Sequence, residues 1–480
     1  MSTDDTVIDL AQRTSPTVIG TRTVTLPGHR DDVSATLALA TSGLFDDYLT
    51  YQRPGTRWFA GNTQAAVVMS HRLIVNETST QTRDFPLSAR PLRQLGQVVK
   101  RLLRPGQRAF GYLTFELAHL ASGNTLVSSL HPLAHFVVPQ VEICWTTTGA
   151  HITSNIPVLL DAVVDIVRAA TSCPAPSTTP IDLDSPGHRQ RYERAVAGII
   201  TAIHDRALCK AIISRRVDVP FAVDLPRSYA AGLCDNTPAR SFLMQLGHRR
   251  CAGFSPETLA EVTASGHVYT QPLAGTRPLL HDPAEDLRLR QELEWDVKEC
   301  YEHIISVRLA AQELRTVCTS TTVMVRDLLT VKPRGTVQHL GSTVMGQLCT
   351  GNTAWDALEA LFPAVTASGI SKHQALPTIA MTEQDQRELY AGAICMVDAN
   401  GALDSAVILR SIFQQSQQTW LRAGAGIVAD SQPDREYDET TNKLRSVAHC
   451  LVPASATHHH PPITPAANRQ SLHQFLPNSR

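Results

Sequence analysis

The sequence predicts an α+β fold in which a β-sandwich carries its helices on the outside. Short runs rich in β-branched and aromatic residues recur along most of the chain, from AAVVM (65–69) to TWLRAGAGIV (419–428). Only a few segments show the i, i+3, i+4, i+7 apolar spacing of an amphipathic helix, so strands and helices do not alternate as a doubly wound parallel sheet requires. The 29 prolines among 480 residues also argue against a bundle of long core helices. At roughly 150 residues per domain, this length allows about three domains or one large unit with two sheets.

Residues 1–25 are expected to be loosely ordered. An N-terminal region, 26–185, supplies strands such as AFGYLTFEL (109–117) and QVEICWTTT (140–148), with one helix near 91–104. SCPAPSTTPIDLDSPG (172–187) is rich in Pro, Ser and Thr and predicts a surface linker before a second region, 186–454. There RYERAVAGIITAIHDR (191–206) has helical spacing and KAIISRRVDVPF (210–221) reads as a strand. Strands follow at RSFLMQL, RRCAGFSPETLAEV and HVYTQPLAGTR, and the stretch 286–315 predicts the longest single helix. Strands return at TVMVRDL, TVQHLGSTVMGQL, AGAICMVD, DSAVILRSIFQ and TWLRAGAGIV, the last ending in a glycine-rich turn. The Pro- and His-rich tail, 455–480, predicts disorder, and its three successive histidines read as solvated rather than metal-binding.

Lys plus Arg total 43 and Asp plus Glu 44, a balance that points to neither nucleic acid nor an anionic membrane. The acidic N-terminus lacks the pattern of a secretory signal, and no run approaches the ~20 apolar residues of a membrane span. Ten dispersed cysteines without a CxxC pair predict reduced, mostly buried thiols in a cytoplasmic protein. Without a coiled coil or repeat, the chain is expected to be a monomer.

Two acidic pairs stand out. Glu299 and Glu302 lie three apart in the long helical stretch and project from one face. Glu436 and Glu439 repeat the spacing after the glycine-rich turn, with Lys443 four residues further on. One ExxE pair alone is ordinarily a solvated face, but two on separate helices can clamp a hard divalent cation such as Mg²⁺. ECYEH is not a metalloprotease motif, because Glu299 stands where the first histidine ligand is needed. Carboxylate-bridged di-iron chemistry would need long core helices and Glu-x-x-His pairs.

The ordered motifs SPE (255–257), TQPLAGTR (270–277), KECYEH (298–303), VQHLGS (337–342), FPAVTASGISK (362–372), RELYAGAI (387–394), ILR (408–410), AGAGIVADS (423–431) and EYDETTNK (436–443) resemble the chorismate-utilising enzymes. That group contains anthranilate, aminodeoxychorismate, isochorismate and salicylate synthases. The resemblance implies two β-sheets packed face to face with helices outside and the active site between them. It implies Mg²⁺ held by Glu302 and Glu439, with Glu299 and Glu436 in support. Lys210 stands where the ammonia-using members have glutamine, and Ala274 where aminodeoxychorismate synthases have a nucleophilic lysine. Water is therefore the implied nucleophile, isochorismate the implied first product, and no glutaminase partner is expected. TASGISK looks most like the salicylate synthases of siderophore pathways. The alternatives are an isochorismate synthase that releases its product and a catalytically silent chorismate-binding subunit.

On this reading Lys210 is the general base that activates water, which needs its pKa lowered by desolvation or a nearby positive charge. Glu257 is the general acid that protonates the departing C4 hydroxyl, which needs its pKa raised in a shielded pocket. Arg410, Lys443 and Tyr390 meet the enolpyruvyl carboxylate, and Gly424, Ala425 and Gly426 let backbone N–H groups approach an anion. Gly275, Thr276 and His339 lie in substrate-site motifs, and Thr366 orients the ring. For His339 a reactive role and a buried structural role both stay open. Pyruvate loss from isochorismate needs mainly a constrained conformation and no further catalytic group. Ser371 replaces the proline usual in the relatives and is expected to change local rigidity in a turn more than chemistry.

Overall fold

The structure, a computed structural model, describes residues 21–28, 31–77, 81–121, 131–172 and 176–454. Strands pair antiparallel throughout and form two layers. The first runs through Gly369–Ile370, Lys210–Asp218, Gln418–Ile427, Ser411–Gln415, Arg249–Ser255, Arg240–Leu246 and Tyr48–Arg53, and at its far edge holds Gly149–Ser154 and Arg22–Pro27. The second runs from Met324–Arg334 and Val337–Gln347 through His267–Thr270, Thr258–Val262, Leu403–Val407 and Ala393–Asp398 to Arg108–Leu113.

Two long strands join the layers. Thr56–Met69 and Ala134–Thr146 pair along their whole length, and each gives one half to each layer. The crossing is a bulge between Thr63 and Ala65, beside Asn62 at φ 51° and opposite Pro139. An extra residue bends and twists a ladder locally, so one hydrogen-bonded network can turn the corner between two layers. The α+β sandwich expected from the sequence is thus a single continuous sheet folded on itself.

Side-chain alternation sorts the core. On Arg240–Leu246, Phe242 and Met244 join an apolar cluster that draws on both layers, while Leu243 joins a second cluster with helix residues Leu39, Leu160, Tyr229 and Leu444. Both clusters take residues from either side of the linker, Phe110 with Phe413 in one and Ile143 with Leu451 in the other. The linker carries no helix or strand over 176–185 and is fastened down, Thr179 N donating to Leu451 O at 2.8 Å while Leu183 is buried.

Three expectations change. The segment expected to be loosely ordered contains the paired strand Arg22–Pro27, whose Val24 lies opposite Ile152; residues 1–20 and the tail 455–480, with its histidines, lie outside the described residues. Among the described cysteines, none of which is disulfide-bonded, Cys209 and Cys234 are exposed, whereas Cys251, Cys318, Cys395 and Cys450 are buried as expected. Third, the single helix over 286–315 is two helices, Pro283–Trp295 and Val297–Arg315. Asp296 breaks it in an extended conformation, its carboxylate accepting from Glu299 N at 3.1 Å and from Arg277 at 2.8 Å. A short acidic side chain competes for the backbone N–H groups of the next turn, so it caps a new helix instead of continuing the old one. The apolar period ran through the break because Leu289 and Leu293 before it and Val307, Ala310 and Leu314 after it are buried at helical spacing. No helix among the described residues is long and apolar enough to cross a membrane.

Asp296→Ala should lower stability by about 1 kcal/mol, the usual worth of an N-cap, and Asp296→Asn should recover most of the loss. Urea unfolding checks this; an unchanged midpoint in the alanine variant would show that the cap does not hold the break.

Candidate active site

Helical spacing gathers Glu299, Glu302, His303 and Ser306 on one buried face of Val297–Arg315. Glu436, Thr440 and Leu444 do the same on Pro433–Ala448. The two acidic faces meet at one end of the first layer, where Lys210 opens its strand opposite Ile370. The TASGI segment thereby lies alongside the proposed base.

Every glutamate of the two pairs has a lysine. Lys210 is fully buried, its Nζ 2.9 Å from Glu302 Oε1 and donating to Ser306 Oγ at 3.0 Å. Lys443 Nζ lies 2.6 Å from Glu439 Oε1 and donates to Gly424 O at 2.9 Å. Lys298 Nζ lies 2.9 Å from Glu436 Oε1, 3.2 Å from Glu299 Oε1 and 3.9 Å from Glu302 Oε2. Burial and then the charge of Glu439 push the Glu299 and Glu436 carboxyls up. Burial alone would raise Glu439 too, but Lys443 and Lys298 outweigh it and hold it below the usual range.

The fit to a divalent cation can be tested on these groups. Glu299 Oε2 and Glu436 Oε2 are buried and accept no hydrogen bond, so each keeps a free hard-oxygen donor. Gly275, at φ 68°, leaves room for Glu299, whose Oε2 would lie 3.0 Å from a Cβ there, and a Cβ on Gly426 would overlap Glu302 Oε1. The carboxylate set therefore suits Mg²⁺, with Glu299, Glu302, Glu436 and Glu439 as the residues that would hold it.

Glu257 lies beyond the strand Arg249–Ser255, buried, with its Oε1 accepting from Thr366 Oγ1 at 2.5 Å. Burial pushes its carboxyl up to about 8, against the opposing pull of Thr366 and Lys210. His339 is held down to about 3, first by burial and then by Arg410, and is a neutral imidazole. Its Nδ1 donates to Gly275 O at 2.9 Å, with Thr276 Oγ1 at 3.2 Å, and its Nε2 faces an Arg410 N–H at 3.4 Å. Both ring nitrogens are engaged, an arrangement that matches the structural alternative for His339 and makes it a brace for Arg410. Arg410, at φ 51°, also donates to Ser446 Oγ, and burial lowers its guanidinium to about 10. Tyr390 is buried with its hydroxyl close to Gly424.

The glycine-rich segment is not the turn expected from its composition. Gly424, Ala425 and Gly426 lie inside the strand Gln418–Ile427, opposite Ser214, Ile213 and Ile212. The glycines are needed because a Cβ at either position would meet Ile213 O or Glu302, not because the chain reverses there. Ser411–Gln415 covers the other edge only over Gln418–Leu421, so among the described residues the glycines keep one edge without a strand partner. Ser371 is the N-cap residue of the helix Lys372–Thr382, its Oγ donating to Gln374 Oε1 at 2.9 Å.

Sequence reasoning missed Lys298 and Ser306. The signal for Lys298 was present: it precedes Glu299 and lies four residues before Glu302, the spacing of a helical ion pair. Nothing in the sequence marks Ser306 until Lys210 is brought against it.

Comparison with known proteins agrees with this architecture. The model of the chorismate binding enzyme family matches residues 47–449. A salicylate synthase of Mycolicibacterium paratuberculosis is 39% identical over 451 residues, covering 89% of this chain and 96% of that protein. An anthranilate synthase component 1 of Streptomyces coelicolor is 39% identical over 317 residues, 62% of this chain and 61% of that protein. The crystal structure of anthranilate synthase component I from Streptococcus pneumoniae TIGR4 superposes with a TM-score of 0.70 at 25% identity, covering 83% of this chain and 93% of the other. Matched through both layers of the sandwich and both acidic helices, the chain belongs to the chorismate-binding enzyme family.

Proposed function

We propose that the protein is a Mg²⁺-dependent salicylate synthase, converting chorismate to isochorismate and then to salicylate and pyruvate, for siderophore assembly. The observation that carries the reading is one buried site holding both Lys210 and a carboxylic acid, Glu257, that keeps its proton to about pH 8. The near full-length likeness to a salicylate synthase supports the choice within the family.

Lys210 takes a proton from the water that attacks C2, which requires its Nζ to be released from the Glu302 carboxylate that it faces at 2.9 Å, and Glu257 gives its proton to the C4 hydroxyl as that group leaves as water. The Thr366 hydroxyl holds the Glu257 carboxyl in place for this transfer. Arg410, braced by His339 and Ser446, and Lys443 offer positive charge to a substrate carboxylate, and Tyr390 lines the same side. A bound Mg²⁺ would supply charge stabilisation to the ring carboxylate and to the ring as it is attacked. Loss of pyruvate then depends on how tightly these groups constrain the isochorismate ring.

Purified protein given chorismate and Mg²⁺ should form salicylate and pyruvate in equal amounts, followed by salicylate fluorescence and chromatography. Lys210→Ala and Glu257→Gln should each lose at least about 10²-fold, the usual range for removing a general base or acid. Isochorismate accumulating without pyruvate would move the assignment to an isochorismate synthase, and no turnover would leave a binding subunit.

The pH dependence has a definite sign. The reaction needs Glu257 protonated, so the alkaline limb of kcat/KM should fall tenfold per unit as pH rises beyond about 8. Thr366→Val removes a donor that favours the carboxylate, so the alkaline limb should move to higher pH. A limb that stays in place in the kcat/KM profile would mean that another group titrates.

Gly426→Ala should cut kcat by about 10²-fold, the cost of displacing a reacting group by about 1 Å. Its Cβ drives the Glu302 carboxylate off the buried Lys210, so the variant should also melt at a lower temperature. An unaltered rate would remove Glu302 from the chemistry.

A further inference from the structure

Lys298 differs from the other two lysines of the site in what it touches. Lys210 pairs with Glu302 and Lys443 with Glu439, one carboxylate each. Lys298 lies between the acidic helices, with Glu299 and Glu302 of one and Glu436 of the other all within 4 Å of its Nζ. Its contacts on Glu299 and Glu436 are made by the Oε1 atoms of the same carboxylates whose Oε2 atoms are buried without a partner. Its side chain is 22% exposed, so the ammonium has a path to solvent that Lys210, fully enclosed, does not. Among the described residues no three acidic, His or Cys side chains converge closely enough to hold a metal as they stand, because the carboxylates are drawn onto lysines.

Buried carboxylates repel one another and lose their hydration, so they stay together only around positive charge. We infer that Lys298 is a built-in counter-cation that holds the two acidic pairs together before Mg²⁺ arrives and is displaced from Glu436 and Glu299 when it binds. The metal affinity of the site is then a competition between Mg²⁺ and a tethered ammonium. The tether makes the competition concentration-independent, and the displaced side chain needs only to swing toward solvent. This rests on the Mg²⁺ reading above.

The test is calorimetric titration of Mg²⁺ into the full chain without chorismate, with thermal unfolding in EDTA alongside. Lys298→Met should bind Mg²⁺ at least tenfold more tightly than the wild type and melt at a lower temperature in EDTA, with Mg²⁺ restoring more of its stability. Lys298→Arg, which returns the charge, should bring both values back toward wild type. Should the methionine variant not fold, Lys298→Gln keeps a long polar side chain and tests the same loss of charge. Equal or weaker Mg²⁺ binding by a folded, uncharged variant overturns the inference while leaving the Mg²⁺ reading intact. Absence of Mg²⁺ binding in the wild type and the variants alike overturns both, and Glu302→Gln serves as the control that the heat measured comes from this site.

Discussion

Four glutamates gathered on two facing helices, three of them buried and Glu439 partly so, are the constraint from which the rest of the site follows. An ionised carboxylate costs several kcal/mol to bury even after relaxation, and like charges nearby raise that cost. Each neighbouring feature can be read as an answer to it. Three lysines reach the carboxylates from three different elements: a strand, and the two acidic helices themselves. The strand behind Glu302 has glycine at 426 because no larger residue leaves room for the carboxylate, and Gly275 does the same for Glu299. Even the break at Asp296 serves this end, because it starts a new helix whose first turns aim Glu299 and Glu302 inward.

A second buried network holds Glu257 and Lys210, the proposed acid and base, in register. Arg387 donates to Ala367 O and to Ile212 O, both at 2.6 Å, and so ties the residue after Thr366 to a residue two beyond Lys210. Glu383 accepts from Arg387 and from Arg422, and from the backbone and side chain of Ser214 on the base strand. Burial would raise the Glu383 carboxyl, but the two guanidinium groups outweigh it and keep it below the usual range. A fully satisfied network of this kind fixes geometry, and fixed geometry is what a general acid and a general base on separate segments require. None of these three residues needs to touch the substrate to matter for the rate.

Much of this was legible in the sequence because it rests on spacing and on motif order. The ExxE pairs, the strand that begins at Lys210 and the antiparallel sandwich all follow from local patterns that the fold keeps. What was not legible depends on contacts between distant segments. The glycines at 424 and 426 looked like a turn because composition reports conformational freedom, whereas here they answer a steric demand from Glu302 and Ile213 across the sheet. The helix over 286–315 looked continuous because apolar periodicity does not register a single extended residue, and Asp296 shows its capping role only once Arg277 holds its other side. The partners of His339, Gly275 and Arg410, lie on two other segments, which no local window contains. The corner where the two layers join turns on one bulge at Thr63, a feature below the resolution of alternation patterns.

The division of charge across the site also bears on how the proposed substrate, a dianion, can lie in it. On one side stands Arg410, with its partner His339 held neutral; on the other stand the four glutamates, with Lys443 paired to Glu439. One substrate carboxylate can approach the first side directly. A second carboxylate turned toward the glutamates meets like charge in a poorly hydrated pocket, where repulsion is weakly screened. It can approach only if a cation stands between, and the lysines present are already engaged with the protein's own carboxylates. The orientation of the ring between Lys210 and Glu257 is therefore tied to the charge state of the cage. A site built in this way aligns its substrate only after the acidic helices have been neutralised, which links the order of binding to the geometry of the reaction.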